Sequence, residues 1–204
     1  MYKQLSSEFG GYLSRFGFVK KNEFFIREID DFFQIINLQR SRSSTKAQPI
    51  FMVNVGVTSK KVMKFMNITS VKNLMNNQWE QRLENITENE NDSIFVINQI
   101  EDIETILSRL KVAFDNSIAP FLEKISNDLF LIESYLQVIL QSPYFSHVTI
   151  ENLMILVADT CPERIREIMP ILFEKTKNKN DELFLNELFK ELNRRLIVQN
   201  NKVE

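Results

Sequence analysis

The stretch Ile50-Phe51-Met52-Val53-Asn54-Val55-Gly56-Val57 sets the fold class. Phe51, Val53, Val55 and Val57 alternate with Met52, Asn54 and Gly56, the period of two expected of a strand with one buried face. Upstream, Phe32 to Gln39 (FFQIINLQ) and Glu23 to Ile29 (EFFIREI) are also strand-like. Asp30-Asp31 between them predicts a two-residue turn and an antiparallel return. Phe18-Val19-Lys20-Lys21 is a short strand broken by Asn22, and Ser93 to Ile97 is a last one. The serine-rich stretch Arg40 to Pro49 reads as a loop.

Helical periodicity flanks these strands. Leu5, Phe9, Tyr12, Leu13 and Phe16 share one face of a helix over 2–16, which Gly17 ends. From Ile100 the stripe Ile103, Ile106, Leu107, Leu110, Phe114, Ile118, Phe121, Leu122 and Ile125 predicts a long helix that Pro120 kinks or restarts. Asn127 to Gln141 gives another, ended by Pro143. Three more follow. Thr149 caps the first; Thr160 and Glu163, with Pro162, form a capping box for the second; Asp181 starts the third, with Leu185, Leu188, Phe189, Leu192 and Leu196 on one face. Between 60 and 92 the pattern is weak: Trp79 to Leu83 reads as helical and Asn85 to Asp92 as an acidic loop. The four glycines lie at 10, 11, 17 and 56, so the long glycine-free remainder permits helices. The expected fold is α+β: an antiparallel sheet of four or five strands packed by helices, followed by an all-helical C-terminal extension. The expected domains are 1–142 and 143–204.

Composition excludes more than it assigns. One Cys and one His supply neither a disulfide nor a Cys/His zinc site. The N-terminus lacks an apolar signal core, and the longest apolar run, Phe130 to Leu140, is short and holds Glu133, so a cytoplasmic protein is expected and a membrane partner is not. The net charge of −2 conceals a partition: residues 1–80 carry 12 Lys+Arg against 6 Asp+Glu, residues 81–204 carry 13 against 21. Complementarity within the chain accounts for that partition first, an acidic protein partner second and nucleic acid third.

No reaction motif is present. Cys161 at a predicted helix start, with His147 upstream, forms a nucleophile–base pair only on paper, since no third orienting group is visible. Asp30-Asp31, Glu101-Asp102-x-Glu104 and Asp181-Glu182 lack metal-loop spacing and suit turns and helix starts. Gly10-Gly11 lacks the lysine of a phosphate loop. No catalytic residue, metal or cofactor is assigned. More informative are Asn37, Gln39 and Asn54, three amides that fall on one face if their strands are neighbours and can then bind through paired donors and acceptors, or form a satisfied structural network. Arg27, Arg40, Arg42, Trp79 and Arg82 complete the candidate binding set.

Several motifs occur together in order: Gly17-Phe18-Val19-Lys20-Lys21 running to Phe25-Ile26-Arg27, Ile36-Asn37-Leu38-Gln39-Arg40-Ser41, Phe51-Met52-Val53-Asn54-Val55-Gly56-Val57, Trp79-Glu80-Gln81-Arg82-Leu83 and Ala119-Pro120-Phe121-Leu122. In this order they resemble the bacterial domain-of-unknown-function 4304 family over roughly residues 1–126. Two features depart from that pattern: Asn85 to Asp92 lacks its Gly-Arg, and Ile94-Phe95 stands where it tends to have tryptophans. The resemblance implies a fold and a bacterial origin, but no reaction.

The expected function is therefore a non-catalytic protein–protein interaction module, an immunity-type or regulatory binder acting through the basic sheet face or the helical extension. The alternatives are an enzyme or small-ligand binder using Asn37, Gln39 and Asn54 with Arg27 or Arg40 in a pocket, and a nucleic-acid binder using the basic half. Homo-oligomerisation is compatible with each.

Overall fold

Two tight turns organise the sheet. Asn22 (φ 59°) and Asp30 (φ 45°) take the left-handed backbone that short polar side chains tolerate, and each reverses the chain within two residues. Strands β1 (Val19–Lys21), β2 (Phe24–Ile29), β3 (Phe32–Arg40) and β4 (Ile50–Ser59) thus form an antiparallel meander. Two short strands pair along the far side of β4: β5 (Trp79–Arg82) with Asn54–Val57, and β6 (Phe95–Val96) with Ile50 and Phe51. A computed structural model of the chain describes residues 1–69 and 79–200. It divides into two units, Met1–Lys60 with Gln78–Asn127, and Lys61–Asn77 with Asp128–Glu204. The expected domains meet near 142; by contacts, the helix beginning at Asp128 groups with the one that follows it in the second unit.

In the sheet unit, one face carries Phe25, Ile36, Leu38, Phe51, Val53, Val55 and Val57, all fully buried. Helix α1 (Tyr2–Ser14) lies on it through Phe9–Phe25 and Tyr2–Phe51 ring contacts at 5.5 and 5.7 Å, and the Tyr2 hydroxyl donates to the Leu38 carbonyl at 2.5 Å. Gly17 (φ 84°) ends the α1 region as expected. The opposite face is buried too at Ile26, Ile35, Asn37, Asn54 and Thr58, so β4 has two buried faces where its alternation predicts one. Gly56 is required there: a Cβ would lie 2.2 Å from the Trp79 carbonyl oxygen, where β5 crosses close to β4.

The segment 79–92 differs from expectation. Trp79–Arg82 is the strand β5 rather than a helix, and Leu83–Thr87 forms helix α3, following α2 (Lys60–Phe65). A 3-10 turn at Glu90–Asp92 follows, capped by the Asn89 side chain. The pull of the β4 edge outweighs the weak local preference of Glu80-Gln81-Arg82. The long helix is continuous but not uniform. Helix α4 (Asp102–Ala113) opens into one wide π turn, Phe114–Ile118, before α5 (Ala119–Ile125). Pro120 has no N–H to give the preceding turn and its ring crowds that turn's carbonyl; the widened turn absorbs both. Phe114 on that turn meets Tyr12, Phe16 and Phe18, with centroids 4.7–6.0 Å apart.

The second unit is helical: α6 (Asp128–Gln141), α7 (His147–Thr160), α8 (Ile165–Lys175) and α9 (Lys179–Asn200). Helix α7 is buried along Asn152–Ala158, apolar nearly all round, and is the centre of this unit. Its cap is Ser146, whose Oγ accepts from the Thr149 amide, so Thr149 lies inside the helix. Thr160 is the last residue of α7 and caps nothing; its hydroxyl meets Lys61 Nζ at 3.3 Å. Lys61 also pairs with Asp128 and Asp159 at 2.7 and 2.8 Å, tying the ends of α6 and α7. Helix α9 carries a reciprocal cap. Asn178 Oδ1 accepts from the amides of Asn180 and Asp181, and Asp181 Oδ2 accepts from the Lys177 amide. Leu185, Leu188 and Leu192 are buried and Phe189 is partly exposed; the Leu196 side chain lies outside the described residues.

Candidate functional site

Register places one side chain from each of four strands in a row. Phe24 pairs with Asn37, Asn37 with Asn54 and Asn54 with Arg82, all on the face opposite α1. Asn54 Nδ2 donates to Gln39 Oε1 at 3.0 Å, so the three amides of the sequence reading do share a face. Asn37 is 9% exposed and makes no side-chain hydrogen bond among the described residues, and its Oδ1 is buried without a donor. Arg82 is half-buried and makes no hydrogen bond or ion pair among the described residues. The row therefore holds a buried acceptor without a donor and a half-buried guanidinium on either side of Asn54.

The arginines expected beside these amides are elsewhere. Arg27 lies on the helix-covered face, where Nε donates to Gln34 Oε1 at 2.8 Å and Nη1 to the Phe16 carbonyl at 3.0 Å. Gln34, fully buried, donates in turn to Ser126 Oγ and the Leu122 carbonyl. Arg27 is thus part of a satisfied structural network; burial pushes its guanidinium pKa down. Arg40, also on that face, stacks over the Tyr2 ring at 5.4 Å and reaches Ser44. A pocket joining Asn37 to Arg27 or Arg40 does not form, because the residues project from opposite faces of the sheet. Trp79 is buried against Phe121 at 5.9 Å as a core residue, and Arg42 is exposed in the β3–β4 loop. Arg82 alone of the candidate cations joins the amide row.

A second surface lies at one end of the helical unit and was not singled out in the sequence. The α6–α7 connection meets the α8–α9 connection: Lys175 Nζ donates to the Leu140 carbonyl at 2.6 Å and Lys177 Nζ to the Pro143 carbonyl. Lys177 sits 5.9 Å from the centre of the Tyr144 ring, which is 80% exposed. Leu140, Val148 and Leu183, near the ends of the helices that these connections join, are about half exposed, and Phe145 and Phe184 are a half-buried pair with ring centroids 6.3 Å apart. The available signal was Pro143-Tyr144-Phe145 in a short connection together with Lys175, Lys177 and Lys179, an aromatic pair where turn chemistry asks for polar residues.

The remaining candidates have structural roles. His147 stacks on Phe184 at 4.2 Å and approaches Asp181 at 3.4 Å, while Cys161 follows the far end of α7, roughly 20 Å away along the helix axis. Burial pushes the Cys161 thiol pKa up, against the pull of Arg164. Asp102 accepts from the amides of Asn98 and Gln99, Asp181 serves the α9 cap, and Asp30 forms a turn. Among the described residues no three His, Cys, Asp or Glu side chains gather around a possible metal, and no helix is long and apolar enough to cross a membrane. A groove of about 380 Å³ beside the π turn has its carboxylate, Asp92, already paired with Arg109 at 2.8 Å and Thr87.

Regrouping charge by unit removes the partition seen along the sequence: the sheet unit holds 13 Lys+Arg and 15 Asp+Glu, the helical unit 12 and 12. Lys60 pairs with Glu28, and Lys61 with two aspartates, so two of the basic residues are neutralised within the chain. Comparison with known proteins gives one family. Neither the curated proteins nor the solved structures yield a match. The family model described as Domain of unknown function (DUF4304) matches residues 9–124, which covers the sheet, the second part of α1 and nearly all of the long helix, and ends before the helices that begin at Asp128. The chain belongs to the DUF4304 family.

Proposed function

We propose that the chain is a non-catalytic protein-interaction module of the bacterial cytoplasm, which engages an acidic partner protein through the exposed end of its helical unit. The observation that carries this reading is Tyr144, which is 80% exposed with Lys177 beside its ring, while Leu140, Val148 and Leu183 at the adjoining helix ends are also exposed. An aromatic ring flanked by aliphatic residues and a cation has the make-up of an interface hot spot. Lys175 and Lys177 are held by backbone carbonyls and carry no carboxylate among the described residues, so their charge is available to a partner's acidic groups. This surface lies outside the family match, as a partner-specific addition to a shared domain would. The buried free thiol of Cys161 suits a reducing compartment.

The test is affinity capture from the soluble extract of the native cell, run in parallel with the wild-type chain and a Tyr144→Ser/Lys177→Glu variant. Proteins retained by the wild type are then purified and titrated singly. The reading predicts an acidic protein that binds the wild type and is lost by the variant. It fails if nothing binds reproducibly, if the variant binds equally, or if Tyr144 is covered instead by a second copy of the chain.

A further inference from the structure

The sheet face carries a different site. We propose that the row Asn37–Asn54–Arg82 binds a small carboxylate that also bears an N–H donor, the chemistry of an acidic amino acid. Two observations converge on it. Arg82 is a half-buried guanidinium with no hydrogen bond or ion pair among the described residues. A guanidinium presents a fork of N–H donors matched to a carboxylate. Asn37 Oδ1, buried and without a donor, is the complementary group. Burying a carbonyl oxygen and leaving it open is costly, and a ligand N–H removes that cost.

Register fixes how these groups combine. Asn37 and Arg82 flank Asn54 on β3 and β5, so their Cα atoms stand two strand spacings apart, about 10 Å. The Arg82 side chain is long enough to close much of that span. Asn54 is held between them by its bond to Gln39, which fixes the orientation of its amide and leaves the buried acceptor and the cation as the row's two unpartnered groups among the described residues. A ligand with its carboxylate on Arg82 and an N–H on Asn37 Oδ1 satisfies both. A simple anion satisfies only Arg82, and a simple amine only Asn37. This site lies in the sheet unit and stands or falls independently of the protein-binding surface.

The test is an amide ¹H–¹⁵N titration of the full chain with L-glutamate, with acetate and methylamine as single-ended probes. L-Glutamate is expected to shift the Asn37 and Asn54 side-chain amide signals saturably, and to bind at least about tenfold more tightly than either single-ended probe. Arg82→Gln is expected to weaken binding by about tenfold or more, while Arg166→Gln, at an exposed position of the helical unit, leaves it unchanged. If Arg82→Gln loses its folded spectrum, Arg82→Lys, which keeps the charge but not the fork, must weaken binding in its place. Unmoved Asn37 and Asn54 signals at saturating millimolar L-glutamate, or equal binding by the Arg82 variant, overturns the proposal.

Discussion

Arg27 and Gln34 face each other across β2 and β3, and the guanidinium donates to Gln34 Oε1 through both Nε and Nη2. The contact closes a chain of bonds from the Phe16 carbonyl to Ser126, joining the C-terminal end of the α1 region to the end of α5 across the covered sheet face. Replacing Arg27 by Met leaves a fully buried amide oxygen without a donor. Arg27→Met is expected to lose about 2–4 kcal/mol in urea unfolding, with Gln34→Leu/Arg27→Met recovering part of it. A loss too small to measure would mean the network is not structural.

Gly56 offers a sharper packing test. Gly56→Ala puts a methyl 2.2 Å from a backbone oxygen that cannot move without β5 moving. The variant is expected to lose about 3 kcal/mol or more, or to fail to fold, read as a thermal-melting shift against Gly11→Ala, whose added methyl meets nothing within 4 Å.

Much of this architecture was legible, and the reasons it was partly missed are local. The alternation of β4 and the Asp30-Asp31 turn fix the β2–β3–β4 meander and the shared face of Asn37 and Asn54. That same turn sets Arg27 opposite Gln34, so the separation of Arg27 from the amides was implicit in the sequence, as was that of Arg40, an odd number of residues from Asn37 on one strand. Arg82 could not be placed, because Glu80-Gln81-Arg82 has no strand signature and becomes a strand only by pairing with the β4 edge. The basic and acidic halves were a feature of sequence order that chain folding interleaves: Lys61 is far from Asp128 and Asp159 in sequence and bonded to both in space.

Tyr2 gives the pH dependence. Burial, reinforced by the charge of Glu23 and opposed by Arg40, pushes its phenol pKa up to about 12. The folded state therefore holds this proton more tightly than the unfolded state does. Its contribution is fully present below pH 10 and is lost as the pH rises towards 12. Tyr12 is likewise raised to about 12 by burial and its bond to Asp115, so the comparison must be made with a variant. Between about pH 10 and about pH 12, unfolding free energy should fall more steeply for the wild type than for Tyr2→Phe. Equal slopes would contradict the assignment.

Cys161 is 6% exposed, and burial raises its thiol pKa. It is expected to react with a disulfide reagent at neutral pH only slowly in the native chain, and fully on addition of denaturant. Rapid native labelling would contradict its assignment as an inert core residue.

The protein-binding surface is tested most directly by hydrogen–deuterium exchange of the chain with and without its captured partner. Protection is predicted at both connections that frame Tyr144, over residues 140–148 and 175–184, with the sheet strands unchanged. Protection confined to the sheet unit, or none at either connection, would contradict the account.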